Sequence, residues 1–442
     1  MMFGEYMKDR ITLLLILCFL VAFLVVFQNY FNTTWAIIFL VCFMSLYMLY
    51  MYIAVKHQRR KLRKTPLVYD ESVRPFISIL IPCHNEAVVI KETVENVLTV
   101  DYDNYEIIVI DDRSTDNTAD VVLELEKTYD NVTALIRDKN AFPGKSAVLN
   151  DAVKLAKGEA FLVFDADAKI KPDFIKQLLT KYDDEAVGGV QARKVIINAN
   201  QNFLTACQYN EYVMDTHLQI GRDAVKGAVE LRGNGELIKR KALEDIGGWN
   251  NETITDDLDM STRLHIKGWD IRFVKDALVY EEGVITFAAL LRQRRRWVEG
   301  SIRRYLEYIW DVLFTKDMSL RVGFDLIAYI SEFLLPAWLV IEVIIQAFHF
   351  VKGHENYILS SGTLIGIVAL FFACGLIYSF RKYSHYNTLR AIWQTVVTSI
   401  YFFIIWFPIV MFIIFKIIFT KKTMDWGKTQ HGVVANGCGE IS

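Results

Sequence analysis

Asp165 and Asp167 follow directly on four apolar residues, Phe161 to Phe164. An apolar run closed by polar residues predicts a strand buried on both faces of a mostly parallel sheet. Such a strand delivers its last residues to the carboxyl edge, where open α/β sheets bind their ligands. Along an extended chain i and i+2 share a face, so both carboxylates can point at one place. Two hard oxygen ligands suit Mg2+ or Mn2+, which fills its other positions with water and substrate phosphates. The same residues also fit a plain Asp-rich turn at a strand end, and this segment alone does not separate the two.

The elements around it must bring other polar groups to that edge. Strands are predicted over Phe76–Pro82, Tyr105–Asp111 and Val132–Ile136, with helices over Glu86–Leu98, Asn117–Tyr129 and Ser146–Lys157 between them. That alternation implies a parallel sheet with crossover helices. No GxGxxG follows the first strand, which disfavours a dinucleotide site. Beyond Asp167 the pattern predicts a helix over Pro172–Tyr182, a strand over Val187–Ile197 and a long amphipathic helix from Phe203 to Ile220. A glycine loop, Leu231-Arg-Gly-Asn-Gly235, and helices over Lys241–Ile246 and Asp256–Lys267 complete this region.

The chain has 442 residues, 53% of them hydrophobic, with the apolar excess at its two ends. Ile11 to Phe31 and Trp35 to Val55 are each long enough to span a bilayer, and the cationic cluster Lys56–Lys64 keeps both ends of this hairpin in the cytoplasm. Beside a membrane span that cluster reads as a lipid-facing flank before a nucleic-acid patch, and the net charge of −2 gives no field for nucleic acid. The six cysteines show no metal-ligand spacing and fit a reducing cytosol. From Phe287 Arg alternates with Trp, Tyr and Leu at helical spacing, predicting helices at the membrane surface with Arg294 and Arg295 facing lipid or solvent. Apolar runs follow at 324–351, 358–380 and 391–419. Three single spans would leave Lys416, Lys421 and Lys422 outside, so one run should be broken, at Pro408 or at Glu332 and Pro336. The predicted division is a transmembrane hairpin and basic flank over 1–64, a cytoplasmic catalytic domain over 65–286 and interface helices over 287–320. A membrane bundle over 321–420 and a cytoplasmic tail over 421–442 follow.

Asp111-Asp112, Asp165-Ala-Asp167, Thr255-Asp-Asp257 and Gln293-Arg-Arg-Arg-Trp297 occur in that order. Together they resemble the membrane-integral processive branch of glycosyltransferase family 2, which includes cellulose, hyaluronan, chitin and poly-N-acetylglucosamine synthases. The resemblance covers Phe76 to Tyr305. It implies an α/β fold: a GT-A (Rossmann-like) domain that binds a nucleotide sugar, inserted between N-terminal and C-terminal transmembrane helices, with amphipathic interface helices. By resemblance, Pro82, Glu86, Asp111 and Asp112 hold the uridine, and Lys145 meets the diphosphate. Asp167 ligates the metal, with Asp165 between ion and nucleotide. Asp257 is the general base, supported by Asp256. Arg296 binds the diphosphate, while Gln293, Trp297, Gly233 and Asn234 face the acceptor. Arg113 stands where the family usually has Gly, and Asp256 where it usually has Glu.

The reading that follows is an inverting, metal-dependent membrane β-glycosyltransferase. It would move glucose or N-acetylglucosamine from a UDP-sugar to the non-reducing end of a growing polysaccharide and carry the chain across the membrane, with any export or regulatory control supplied by a partner subunit. The alternative is a single transfer onto diacylglycerol or another membrane lipid, because Glu281-Glu-Gly283 through Arg296-Trp297, then Glu299-Gly300 and Arg303 to Tyr308, is similar to bacterial diacylglycerol glucosyltransferases.

Overall fold

The computed structural model describes residues 10–16, 18, 33–330, 333, 350–352 and 355–420. Glu332, Pro336, Lys421, Lys422 and most of the first predicted span therefore lie outside the described residues.

Among the described residues one eight-stranded sheet runs in the order β3-β2-β1-β4-β7-β6-β8-β5. The strands are β1 (Ile77–Cys83), β2 (Tyr105–Asp111), β3 (Val132–Ile136), β4 (Ala160–Val163), β5 (Lys169–Ile170), β6 (Val187–Ile196), β7 (Glu236–Lys239) and β8 (Asp270–Glu281). The first four run parallel, as expected. The other half is mixed: β6 and β8 also pair in parallel, but β7 pairs antiparallel with both β4 and β6, and β5 antiparallel with β8, so the sheet is less uniformly parallel than expected. The reversal starts in the glycine loop. Gly233 and Gly235 both take positive φ, +73° and +67°, a region L side chains avoid. A Cβ on Gly235 would lie 2.8 Å from Val279 and 3.0 Å from Ala192.

The central strand is apolar throughout because both its faces are covered. Ala160, Leu162 and Phe164 join one core with alternate residues of β1. Phe161 and Val163 join the other, which includes residues of α4 (Lys145–Leu155), α6 (Phe203–Val225) and α8 (Asp256–Ile266). The remaining helices of the domain are α2 (Ile90–Val97), α3 (Thr118–Thr128), α5 (Phe174–Leu179) and α7 (Arg240–Asp245).

The long helix α6 ties the sheet domain to the apolar helices. Its Asn210 amide donates to Gln394 (2.8 Å) and Thr398 (3.1 Å) on α11 (Thr388–Tyr401). Its Asp223 accepts from Gln58 (3.1 Å) on α1 (Thr33–Lys64). Arg59 of α1 in turn donates to Tyr378 and Tyr383 of α10 (Glu355–Tyr383). The amphipathic α9 (Phe287–Phe314) is packed on both sides by protein. Its Leu290, Val298, Ile302 and Leu306 bury against Ile409, Ile413 and Ile417 of α12 (Phe407–Phe419). On the opposite side Gly300 meets Thr255, where a Cβ would come within 2.4 Å of the threonine methyl.

Residues Thr388–Phe419 form the one helix among those described that is long and apolar enough to cross a membrane. It is interrupted by a π-turn over Phe402–Trp406 just before Pro408. Proline has no N–H for the helix ladder, and a π-turn is a usual way to absorb such a defect. The last apolar run is thus perturbed at Pro408 without being divided.

Candidate active site

A cavity of about 450 Å³ opens at the carboxyl ends of β1 and β4 and runs to α9 and the π-turn, within the size range of small-molecule sites. Of the residues expected from the sequence, Pro82, Glu86, Lys145, Asp165, Asp167, Gly233, Asp256, Asp257, Gln293, Arg296 and Trp297 line it. Asp111, Asp112 and Asn234 do not reach it.

At one end lie Pro82, His84 and Glu86. The loop after β1 is stitched to the loop after β2: Asn85 N–H donates to Ser114 Oγ (2.8 Å), and Glu86 N–H to Thr118 Oγ1 (2.8 Å). Asp112 sits behind this loop, fully buried, with its carboxylate held by Arg137 (2.6 Å) and Arg113 (2.9 Å). Arg113 itself adopts φ +58°, the backbone form a glycine would take most easily. Asp111 Oδ2 accepts from Ser114 N–H, and its buried Oδ1 has no partner among the described residues.

Asp165 and Asp167 share the cavity wall for a reason the sequence did not show. The strand stops at Val163, and the chain turns so that Ala168 N–H donates to the Asp165 carbonyl (3.1 Å). A tight turn, not an extended segment, aims both carboxylates. Asn234 fixes the turn from behind, its Oδ1 accepting the Asp165 N–H (3.2 Å). Glu282 N–H donates to Asp167 Oδ2 (3.0 Å). Lys145, at the start of α4, donates to Asp165 Oδ1 (2.6 Å) and to the Gly233 carbonyl (2.8 Å). Burial works against its charge, but Asp165, Asp256 and Glu236 outweigh that and hold its pKa above the usual lysine value.

Among the described residues no cluster of three or more His, Cys, Asp or Glu side chains is arranged to hold a metal. Two hard carboxylates on an open cavity wall nevertheless fit Mg2+ or Mn2+, which needs few protein ligands when substrate phosphate completes the shell.

Asp256 and Asp257 open α8. The helix dipole alone would favour their ionised forms. Burial instead pushes Asp257 up to about 6, with Asp256 adding to the rise against Lys145 and Arg232. At neutral pH Asp257 is then mostly ionised yet more basic than an ordinary aspartate, the condition a general base requires. Glu236 was not anticipated. It is fully buried, accepts the Gly233 N–H (3.0 Å), and is pushed up to about 8 by burial and Asp257. It therefore adds little negative charge beside the base at neutral pH.

On α9, Gln293, Arg296 and Trp297 face the cavity, and Arg296 has no carboxylate partner among the described residues. Arg294 corrects the sequence reading. It is 1% exposed, donates to Glu211 of α6 (2.7 and 3.2 Å), and bonds Gln293. Its guanidinium also lies 4.2 Å from the Trp297 ring centroid. Tyr401 closes this set by donating to Glu211 (3.0 Å). Arg295, by contrast, is exposed and lies over Phe412. The far end of the cavity is walled by Trp297, Tyr329, Phe402 and Trp406, the last two stacked 6.0 Å apart across the π-turn.

Comparison with known proteins gives concordant results. A model of the family described as glycosyltransferase-like family 2 matches residues 74–300. The beta-monoglucosyldiacylglycerol synthase of Nostoc sp. is 36% identical over 372 residues, covering 83% of this chain and 79% of that one. The poly-beta-1,6-N-acetyl-D-glucosamine synthase of Staphylococcus epidermidis is 30% identical over 257 residues, 58% of this chain and 62% of that one. Among solved structures, the mannosyltransferase PcManGT from Pyrobaculum calidifontis, in complex with GDP-Man and Mn2+, aligns with a TM-score of 0.54 at 18% identity. It covers 82% of this chain and 97% of its own, a likeness of fold.

Proposed function

Because this chain belongs to glycosyltransferase family 2, we propose that it transfers one hexose from a UDP-sugar to the hydroxyl of a membrane lipid such as diacylglycerol, giving a β-glycoside. The observation that carries this reading is the shape of the cavity. It joins the carboxylates Asp165, Asp167 and Asp257 to an aromatic wall of Trp297, Tyr329, Phe402 and Trp406, the last two standing on the one described helix apolar enough to cross a membrane. An acceptor hydroxyl borne on acyl chains can reach Asp257 along that wall. The relative from Nostoc, a beta-monoglucosyldiacylglycerol synthase matched over most of both chains, supports a lipid acceptor over the polysaccharide that the motifs alone put first.

In this mechanism Asp257 takes the proton of the acceptor hydroxyl as its oxygen attacks the anomeric carbon from the side opposite the diphosphate. With one base and no carboxylate nucleophile the configuration inverts. The cations of Lys145 and Arg296 face the leaving diphosphate, Arg296 through a fork suited to phosphate oxygens. Asp165 and Asp167 would hold Mg2+ or Mn2+, which when bound neutralises charge growing on the leaving group. Gln293 and Trp297, braced by Arg294 and Glu211, line the acceptor path. The catalytic domain would then lie on the cytoplasmic side of the bilayer, with the basic end of α1 beside it.

Purified protein in lipid, supplied with Mn2+ and labelled UDP-glucose or UDP-N-acetylglucosamine, tests this. Label is expected in the organic extract and dependent on added diacylglycerol. Label in high-molecular-weight glycan would overturn the lipid acceptor and restore the polymer reading.

A further inference from the structure

One charged pair on the cavity wall has no part in the steps above. Lys194 of β6 places its ammonium 3.0 Å from Glu281 Oε2 at the end of β8. It also donates to the Arg232 carbonyl (3.3 Å) and lies 5.2 Å from the Tyr212 ring centroid. Both side chains are mostly buried, 15% and 12% exposed, yet both line the cavity. Glu281 additionally accepts from the Asn234 amide (3.1 Å) and from the Tyr212 hydroxyl.

The bonds around this pair fix its place relative to the reacting atoms. Through Asn234 it is tied to the Asp165 backbone, and through the neighbouring Glu282 to the Asp167 carboxylate. On the other side, Arg232 leads into Gly233, whose Cβ position lies 3.3 Å from Asp257 Oδ2. Burial opposes the Lys194 charge, but Glu281, Asp165 and Asp257 outweigh it. The pair thus lies between the carboxylates facing the diphosphate and the base facing the acceptor. A transferred sugar ring must occupy that interval, because its anomeric carbon is attacked from one end and released from the other.

We propose that Lys194 and Glu281 form the subsite that binds the hydroxyls of the hexosyl group being transferred. An ammonium and a carboxylate side by side offer a donor and an acceptor, matching adjacent hydroxyls that each donate and accept. Fixing both through Asn234 and Tyr212 means little reorganisation is needed when the sugar arrives. The inference rests on the donor assignment above but not on the acceptor.

Binding measured without acceptor tests it. The full chain in lipid, with Mn2+, is titrated with UDP, UDP-glucose and UDP-N-acetylglucosamine. In Lys194→Met and Glu281→Gln the affinity for the tighter-binding UDP-sugar should fall roughly tenfold or more relative to UDP, the usual loss for a bond to a charged group. UDP affinity should stay within about twofold, which also reports that the variant is folded. Lys194→Arg, keeping the charge, should recover part of the loss. A UDP-sugar to UDP affinity ratio unchanged in both variants, or both affinities falling together, would overturn the subsite. Wild-type protein that binds UDP but neither sugar nucleotide would overturn it as well. Wild-type protein that binds none of the three would overturn the donor assignment and the subsite with it.

Discussion

Asp111-Asp112 and Asp256-Asp257 are the same dipeptide in two different surroundings. Asp112 is fully buried and meets two arginines within 2.9 Å, so its charge is neutralised where it stands. Asp257 borders the cavity, has a second carboxylate beside it and receives only partial compensation from Lys145 and Arg232. A buried carboxylate held by arginines organises a loop, whereas one left under-compensated at a cavity is basic enough to move a proton. The dipeptide carries no information about which it will be. The charges brought to it by residues distant in sequence decide.

The largest effect expected from this contrast is at Asp257. Asp257→Asn should reduce transfer by about 10²- to 10⁴-fold, the range for losing a general base, with UDP binding close to wild type. Loss of UDP affinity in proportion to activity would remove Asp257 from the role of base. Asp112→Asn should act through the fold instead. Leaving Arg137 with a buried charge and only Asp151 to meet it is expected to cost about 3 kcal/mol of stability, read as a lower midpoint of thermal unfolding. A variant that keeps its melting temperature but loses UDP binding would show that Asp112 touches the nucleotide directly.

How far the sequence reaches follows the same division between local and distant causes. The strand leading to Asp165 was legible because a strand buried on both faces is apolar at every position. The second half, where parallel and antiparallel pairings mix, was not. β7 has only Leu237 and Ile238 between Glu236 and Lys239, too short for a period, and β8 carries Lys275 and Asp276 midway. The motif residues were found because their spacing within one segment is distinctive. Glu211, Lys194 and Glu236 were missed because each acquires its role from partners across the fold, Glu211 from Arg294 at a separation of 83 residues. Arg294 was misjudged for the same reason. A cation on an amphipathic helix looks like a surface charge until its carboxylate arrives from another helix.

A smaller effect is expected at Gly233, whose backbone φ of +73° already disfavours a side chain. Its Cβ position is 3.3 Å from Asp257 Oδ2 and 3.6 Å from Lys145 Nζ. Gly233→Ala should add roughly 1–2 kcal/mol of backbone strain and displace the base, lowering kcat about tenfold with less change in nucleotide affinity. An equal loss of kcat in Gly247→Ala, where φ is +77° but an added Cβ would meet no described residue beyond its chain neighbours within 4 Å, would mean that strain alone, and not crowding of Asp257, is responsible.

The mildest and most discriminating change is Asp256→Asn. Only ionised Asp257 can accept the acceptor's proton, so activity should be present above about pH 6 and fall as pH drops through that value. Burial is the larger cause of the raised pKa and Asp256 the second. Removing the Asp256 charge makes the ionised form of Asp257 cheaper, and the acid limb of the rate profile should move to lower pH by up to about one unit. Asp111→Asn should leave that limb where it is, since Asp111 lies outside the cavity. A limb that fails to move in Asp256→Asn would mean that burial alone sets the basicity of Asp257. The contrast between the two dipeptides would then rest on the missing arginines and not on the neighbouring carboxylate.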